Sequence, residues 1–381
     1  MKAKLISLIL ICGLILTACT NSSEKQNTVP TDSASAESEE TTEIKADEAA
    51  EESKAETENA YPEFTGIDIS DEALTVSTVN NRTAGFPIFA YSEDMIYFSD
   101  TKDCWKLYSY DGENVRLITD IQAYYLYYYD KNLYFLSADE AMDIYGNLFE
   151  GILYKYDTES KEITQISDDP VYNPRIDITG IYYAKKYDDK FYIYRLDEES
   201  GGEERLCEGL APYRIDSYYI SKRVSNTSGK YDYFLVNGNE EICLAYDVAD
   251  VCDFIHNGVF YYVDQDLQTH SVDLRTGERN TMSIGKRFAV LDDEIYFIEG
   301  KILQSLYRWK DGNAERMRVD SIIDSSGEYL PLYQIQRIYA DNKSLYAIVY
   351  DAEINATHEY YMAKLEPSED DSGNYVLHIL I

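Results

Sequence analysis

Histidine and tryptophan are scarce in this chain, with four and two copies in 381 residues. None of His256, His270, His358 and His378 stands in an HExxH or beside a cysteine at zinc spacing. No GxSxG elbow, P-loop or GxGxxG opening a helix occurs either. No catalytic residue, metal ligand set or cofactor is therefore nominated. Positive charge is also short: 34 Lys and Arg face 70 Asp and Glu, a net of −36. Such an excess opposes binding to nucleic acid, whose phosphates repel it, and leaves cationic or neutral partners. Long apolar runs are missing. The one hydrophobic stretch, residues 5–16, is too short for a bilayer core, which needs roughly 20 apolar residues. Of six cysteines, four fall after residue 60: Cys104, Cys207, Cys243 and Cys252. They form no CxxC, and four cysteines permit three pairings. Cys243 and Cys252 are close enough to lie on successive strands; otherwise all four are expected as small buried apolar side chains.

The N-terminus carries an address. Lys2 and Lys4 precede the apolar stretch, and Thr17-Ala18-Cys19 ends it with small residues before a cysteine, the pattern of a secretory signal peptide. Leu16-Thr17-Ala18-Cys19 resembles the bacterial lipobox, which implies cleavage before Cys19 and diacylation of its thiol. Two acyl chains anchor stably where one is marginal. The expected location is extracytoplasmic, with the chain held to the cell membrane through Cys19. Residues 1–18 are then the signal peptide, and 19–60 a lipidated linker. From residue 20 to 60, 12 acidic residues and three lysines (Lys25, Lys45, Lys54) give a net of −9, with almost no aliphatic or aromatic content. A segment so poor in apolar surface cannot offset its ordering entropy, so disorder is expected, with an r.m.s. span of roughly 35 Å.

Residues 61–381 are long enough for one large domain or a repeat array. Tyrosine dominates, with 38 copies in the chain against 12 phenylalanines. It suits strands, and its hydroxyl suits an edge that meets water. A short apolar strand carrying a tyrosine recurs at Tyr97, Tyr134, Tyr182, Tyr219, Tyr261, Tyr296 and Tyr346, at spacings of 37, 48, 37, 42, 35 and 50 residues. Most copies follow a tight polar turn, such as Asp130-Lys131-Asn132 or Asn257-Gly258, whose residues tolerate the φ > 0 that two-residue hairpins require. A second strand follows, as in Leu107-Tyr108-Ser109-Tyr110 before Asp111-Gly112, and then a less apolar strand, as in Val115-Arg116-Leu117-Ile118. Four short antiparallel strands in each of about seven units predict an all-β fold, a β-propeller. The fourth unit, around Tyr219, shows no clean hairpin turn. Ala73-Leu74-Thr75-Val76-Ser77-Thr78 is an additional strand candidate that could help close the ring.

The motif of apolar-Tyr-aromatic, loop, Leu-Tyr-x-Tyr/Leu-Asp and Gly-x resembles a propeller domain likened to low-density-lipoprotein-receptor-related proteins, a family of unknown function in bacterial surface proteins. Asn80-Asn81-Arg82-Thr83-Ala84-Gly85 is similar to that family's lead-in segment. The likeness spans roughly residues 80–381 and implies architecture, not chemistry. The animal receptors' Tyr-Trp-Thr-Asp quartet is missing, so their ligand preferences do not transfer.

Strand counting places the two longest insertions, residues 139–151 and 320–332, on the same face of the ring. Long loops on a rigid scaffold are where binding tends to reside. The candidate ligand residues there are Tyr145, Phe149, Tyr329, Tyr333, Asp143 and Glu328, an aromatic and acidic set suited to a sugar or a basic peptide. Asp264-Gln265-Asp266 and Asp292-Asp293-Glu294 lack the spacing of an EF-hand and read as turn acids. With 58 acidic residues after position 60, no carboxylate pair can be singled out for glycoside chemistry. The expected function is a monomeric, non-enzymatic binding module for a protein, a peptide or an envelope glycan. The alternatives are a secreted propeller enzyme acting on polysaccharide and a structural accessory of an envelope complex.

Overall fold

The computed structural model describes residues 63–71 and 88–380, apart from 93, 101–102, 138–149, 178, 211–212, 226–229, 250–252, 265, 267, 283–287, 293, 300–304, 311–312, 324–325, 329–332, 341–343, 352–359 and 369–373. The signal peptide, Cys19, the acidic linker and the extra strand candidate at 73–78 lie outside the described residues.

Seven four-stranded units follow one another along the chain. Blade 1 comprises β1 (Phe89–Tyr91), β2 (Ile96–Asp100), β3 (Lys106–Tyr110) and β4 (Val115–Gln122). Blade 2 comprises β5 (Tyr124–Tyr129), β6 (Asn132–Ser137), β7 (Glu150–Asp157) and β8 (Ile163–Gln165). Blade 3 holds β9 (Val171–Asp177), β10 (Gly180–Tyr187), β11 (Lys190–Asp197) and β12 (Gly202–Glu208). Blade 4 holds β13 (Tyr213–Ile215), β14 (Tyr218–Val224), β15 (Tyr231–Asn237) and β16 (Glu240–Val248). In blade 5 the strands are β17 (Asp253–His256), β18 (Val259–Val263), β19 (Thr269–Asp273) and β20 (Arg279–Met282). In blade 6 they are β21 (Phe288–Leu291), β22 (Glu294–Glu299), β23 (Ser305–Lys310) and β24 (Asn313–Arg316). After β25 (Val319–Ile323), blade 7 closes the series with β26 (Tyr333–Ala340), β27 (Leu345–Asp351), β28 (Tyr360–Pro367) and β29 (Tyr375–Ile379). Consecutive strands within each blade pair antiparallel.

Polarity falls into the blades by position. In blade 6 the first strand, β21 (Phe-Ala-Val-Leu), is buried at every residue, while the first strands of blades 2 and 3 mix buried with half-buried positions. The last strand of blade 6, β24 (Asn-Ala-Glu-Arg), is exposed at every residue, while β16 also carries buried ones. An inner strand sandwiched between neighbouring blades reads as a continuous apolar run, and an outer strand has no such need. Tight turns join the first and second strands. Asp130 and Lys131 both take positive φ (45° and 64°), as do Asn257 and Gly258 (47° and 76°), the geometry of a two-residue hairpin that follows the strand twist. Blade 4 has its turn after all: Asp216, at φ 55°, links β13 to β14.

Buried apolar clusters join blade to blade. One unites Phe89 and Phe98 of blade 1 with Tyr339, Tyr346 and Met362 of blade 7, so the last blade packs on the first and the seven form a closed propeller. Others join blades 1 and 2, 2 and 3, 4 and 5, 5 and 6, and 6 and 7. Between blades 3 and 4 an edge-to-face contact of Tyr182 with Tyr219 is joined by polar contacts. Arg214 Nη1 donates to the Tyr182 hydroxyl at 3.0 Å, Arg223 Nε to the Glu208 carbonyl at 3.1 Å, and the Ser221 hydroxyl to that same carbonyl. Blade 7 takes its four strands from one stretch of chain. β25 adds to its outer edge, parallel to β29, so the insertion expected as a loop at 320–332 begins as a strand.

Residues 63–71 lie across the turns of blades 4 and 5. Ile67 N donates to the Leu274 carbonyl at 2.8 Å, Arg275 Nη2 reaches the Ile69 carbonyl at 3.0 Å and Asp71 Oδ1 at 2.8 Å, and Phe64 and Ile69 are buried in the blade 4–5 cluster. Cys104, Cys207 and Cys243 are free thiols; Cys104 is exposed and the other two half-buried, so they are less enclosed than expected. Cys252 lies outside the described residues. His256 ends β17 and is buried, and His270 and His378 sit within β19 and β29. Asp264 is a turn acid: its Oδ1 accepts from Asp266 N at 2.8 Å and Gln268 N at 2.9 Å.

Candidate functional site

The face formed by first-to-second and third-to-fourth strand turns carries a cavity of about 640 Å³ between blades 2 and 3. Its apolar lining comes from both blades: Tyr129 and Tyr134 from β5 and β6, and Ile176, Ile181 and Leu196 from β9, β10 and β11. Its polar lining is the end of β9 at Asp177 and the hairpin between β11 and β12, where Asp197, Glu198, Glu199, Glu203 and Glu204 cluster beside one cation, Arg195. Gly180 takes φ +138°, and a Cβ there would come within 3.3 Å of Arg195 Nε, so the bare backbone leaves that side chain its place.

The carboxylates differ in what they already hold. Glu198 accepts from the Tyr134 hydroxyl at 3.1 Å and pairs with Lys155. Glu203 is bound by Lys185 at 2.6 and 2.8 Å and by the Tyr183 hydroxyl. Asp197 caps its own turn: its Oδ2 accepts from the Ser200 hydroxyl at 2.6 Å and its Oδ1 from Glu199 N at 3.1 Å, which hold it below the ordinary aspartate range. Glu199 and Glu204 are exposed and form no ion pair. Asp177 is 6% exposed. Its Oδ1 accepts from Thr179 N at 2.7 Å and the Thr179 hydroxyl at 2.5 Å, while Oδ2 has no hydrogen bond within the protein. Burial pushes the Asp177 carboxyl above its usual range, and the Thr179 hydrogen bonds and the charges of Arg175 and Arg214 only partly offset that.

A second polar group lies where the innermost strands converge. Tyr127, Arg175, Tyr213 and Asp253 come from the first strands of blades 2, 3, 4 and 5. The Arg175 guanidinium carbon sits 4.0 Å over the Tyr213 ring. Asp253 accepts from the Tyr213 hydroxyl at 2.6 Å and from the Tyr233 hydroxyl, and lies 3.7 Å from Lys222 Nζ. Burial alone would raise the Asp253 carboxyl, but the Lys222 charge and the two tyrosine hydroxyls outweigh it and hold it below the ordinary range. With its partners inside the protein, this group ties four blades together.

Of the residues nominated from sequence, Cys19, Asp143, Tyr145, Phe149 and Tyr329 lie outside the described residues. Glu328 is exposed on the connection between β25 and β26, and Tyr333 begins β26. The cavity itself was not anticipated. Its local signal is Asp197-Glu198-Glu199-Ser200-Gly201-Gly202-Glu203-Glu204, five acids in eight residues.

No family model matches the chain, and no curated protein matches it by sequence. Among solved structures it is similar to Pyrococcus horikoshii acylaminoacyl peptidase (11% identity, TM-score 0.50), over 79% of this chain and 53% of that one. It is also similar to a puromycin-hydrolyzing peptidase of Mycobacterium tuberculosis (9% identity, TM-score 0.50), over 84% and 56%. The β-propeller domain of the Trilobed protease from Pyrococcus furiosus aligns at 12% identity and a TM-score of 0.46, over 74% and 93%. The chain spans about half the length of the first two. These likenesses concern the fold alone.

The comparisons correct one expectation from sequence, that the chain is not an enzyme. Peptidases share its fold, and catalytic sets assembled from distant residues leave no local motif to find. Neither the propeller nor the missing motifs argues against hydrolase chemistry.

Proposed function

We propose that this protein is an extracytoplasmic, lipid-anchored propeller that binds a protein, a peptide or an envelope glycan. The observation that carries the binding role is the cavity between blades 2 and 3, with an apolar and aromatic floor and an acidic rim on a closed ring. Its volume falls in the range of ligand sites, about 300–1,000 Å³. The location rests on Leu16-Thr17-Ala18-Cys19 and its similarity to the lipobox, with Cys19 as the lipid-bearing residue and 19–60 as the spacer. The long connections, with Tyr145, Phe149, Tyr329, Tyr333, Asp143 and Glu328, are a second contact surface in this proposal. The repeat also keeps its similarity to the receptor-like propeller family of bacterial surface proteins.

Surface plasmon resonance of the full mature chain against peptide and envelope-glycan panels tests the binding role. The expected result is saturable binding to one class, weakened by Glu199→Lys at the cavity or Glu328→Lys on the long connections. Failure to saturate with any class contradicts it.

A further inference from the structure

Resting on that binding reading, we propose that the cleft between blades 2 and 3 takes a cationic peptide segment, whose lysine or arginine head group meets Asp177. The side chain's stem lies along Ile176, Ile181 and Leu196, all part of the cleft lining. Long basic side chains bury their methylenes against apolar surface in this way while the charge seeks an acceptor.

Three observations converge on a cation. Glu198 and Glu203 are already paired with Lys155 and Lys185, which leaves Asp177, Asp197, Glu199 and Glu204 in the lining against Arg195, with the charges of Arg175 and Arg214 also acting on Asp177. Asp177 is 94% enclosed, yet its Oδ2 receives no hydrogen bond from the protein. That oxygen is not sealed off but opens to the cleft, where a charged donor from outside can reach it. The floor is aliphatic and aromatic, which a hydrated inorganic ion does not use and an alkyl ammonium or guanidinium does. Among the described residues no group of three or more His, Cys, Asp or Glu could hold a metal ion. A peptide fits better than a free amine for a further reason. Gly202, Glu203 and Glu204 begin β12, the outermost strand of its sheet, and an unpaired strand edge beside a pocket can bind backbone as well as side chain.

Fluorescence anisotropy of the full mature chain with a labelled peptide of alternating lysine and serine tests this, with a glutamate–serine peptide as counterpart. The lysine peptide should bind saturably and more weakly as salt rises. Asp177→Asn should weaken it about tenfold, the difference of a charge-assisted hydrogen bond. Glu204→Lys, at an exposed position, should weaken it at least as much without touching the fold. Asp266→Asn in blade 5 should leave binding within about twofold, since exposed charges at a distance are screened. Equal loss with Asp266→Asn, or unchanged binding with both cleft variants in folded protein, would overturn the assignment. So would no saturation by the lysine peptide. If the chain ignores that peptide but binds a neutral glycan or an acidic peptide, the cleft assignment fails while the binding role stands.

Discussion

At Asp177 a carboxylate is enclosed where burial favours its protonated form, and at Asp253 a carboxylate also set among the inner strands is held below the ordinary range by Lys222 and two tyrosine hydroxyls. Their pH signatures run in opposite directions. A raised folded pKa means the native state holds the proton more tightly, so stability is fully present below the unfolded value and declines as pH rises through the folded one. Asp177→Asn keeps an oxygen for Thr179 and carries no charge. It should raise the melting temperature at pH 7 by on the order of 1–3 °C, with the gain closing as pH falls below the carboxylate range. Differential scanning fluorimetry across pH 4–8 reads this directly. The variant is then stabilised yet deficient in binding the lysine peptide, a combination that a purely structural role does not produce.

Asp253 behaves conversely. Its depressed pKa gives stability present above the unfolded aspartate value and lost as pH falls through the folded one. Asp253→Ala leaves Lys222 buried without its carboxylate, and such losses cost about 3–5 kcal/mol. Urea unfolding should show that loss near pH 7, shrinking toward pH 3 as the wild type protonates. An equal loss at both values would mean that packing, not charge, makes Asp253 important.

At the scale of elements, the turns do much of the specifying. Gly277, at φ +76°, and Gly66, at φ +89°, stand where residues 63–71 cross the β19–β20 turn, and a Cβ on Gly277 would lie 2.2 Å from the Phe64 carbonyl oxygen. Gly277→Ala is therefore expected to displace this segment and strip Phe64 and Ile69 from the blade 4–5 cluster. Limited proteolysis should show faster cleavage near residue 70, with a stability loss of about 2–4 kcal/mol from the lost burial and backbone strain. Unchanged cleavage would mean that the segment is held by other contacts.

The same scale shows what could be read in advance. The second strands of blades 1, 2 and 6 are legible as apolar runs with a tyrosine, because their central residues are buried on both faces. In blade 4 the turn is Asp216-Ser217, and aspartate tolerates the positive φ there. The parallel addition of β25 to β29 joins positions more than 50 residues apart and leaves no local periodicity. The candidate cleft was hidden for a like reason. Its acids were countable in the β11–β12 hairpin, but only the fold brings Asp177 and the blade 2 tyrosines beside them.

Across the whole molecule, buried apolar clusters among the described residues join six of the seven blade pairs, and the first and last blades pack together through one of them. The blade 3–4 junction uses hydrogen bonds from Arg214, Arg223 and Ser221 where the other junctions use a buried apolar cluster. The cleft next to it faces the turn side. All of this serves a binding role at the envelope only if the chain is anchored there. Membrane fractionation of cells expressing the full chain and its Cys19→Ser variant, with labelled palmitate supplied, tests that claim most directly. The wild type should sediment with membranes and carry the label, and the variant should do neither. A variant that remains membrane-bound, or a wild type without label, would contradict the lipid-anchored propeller.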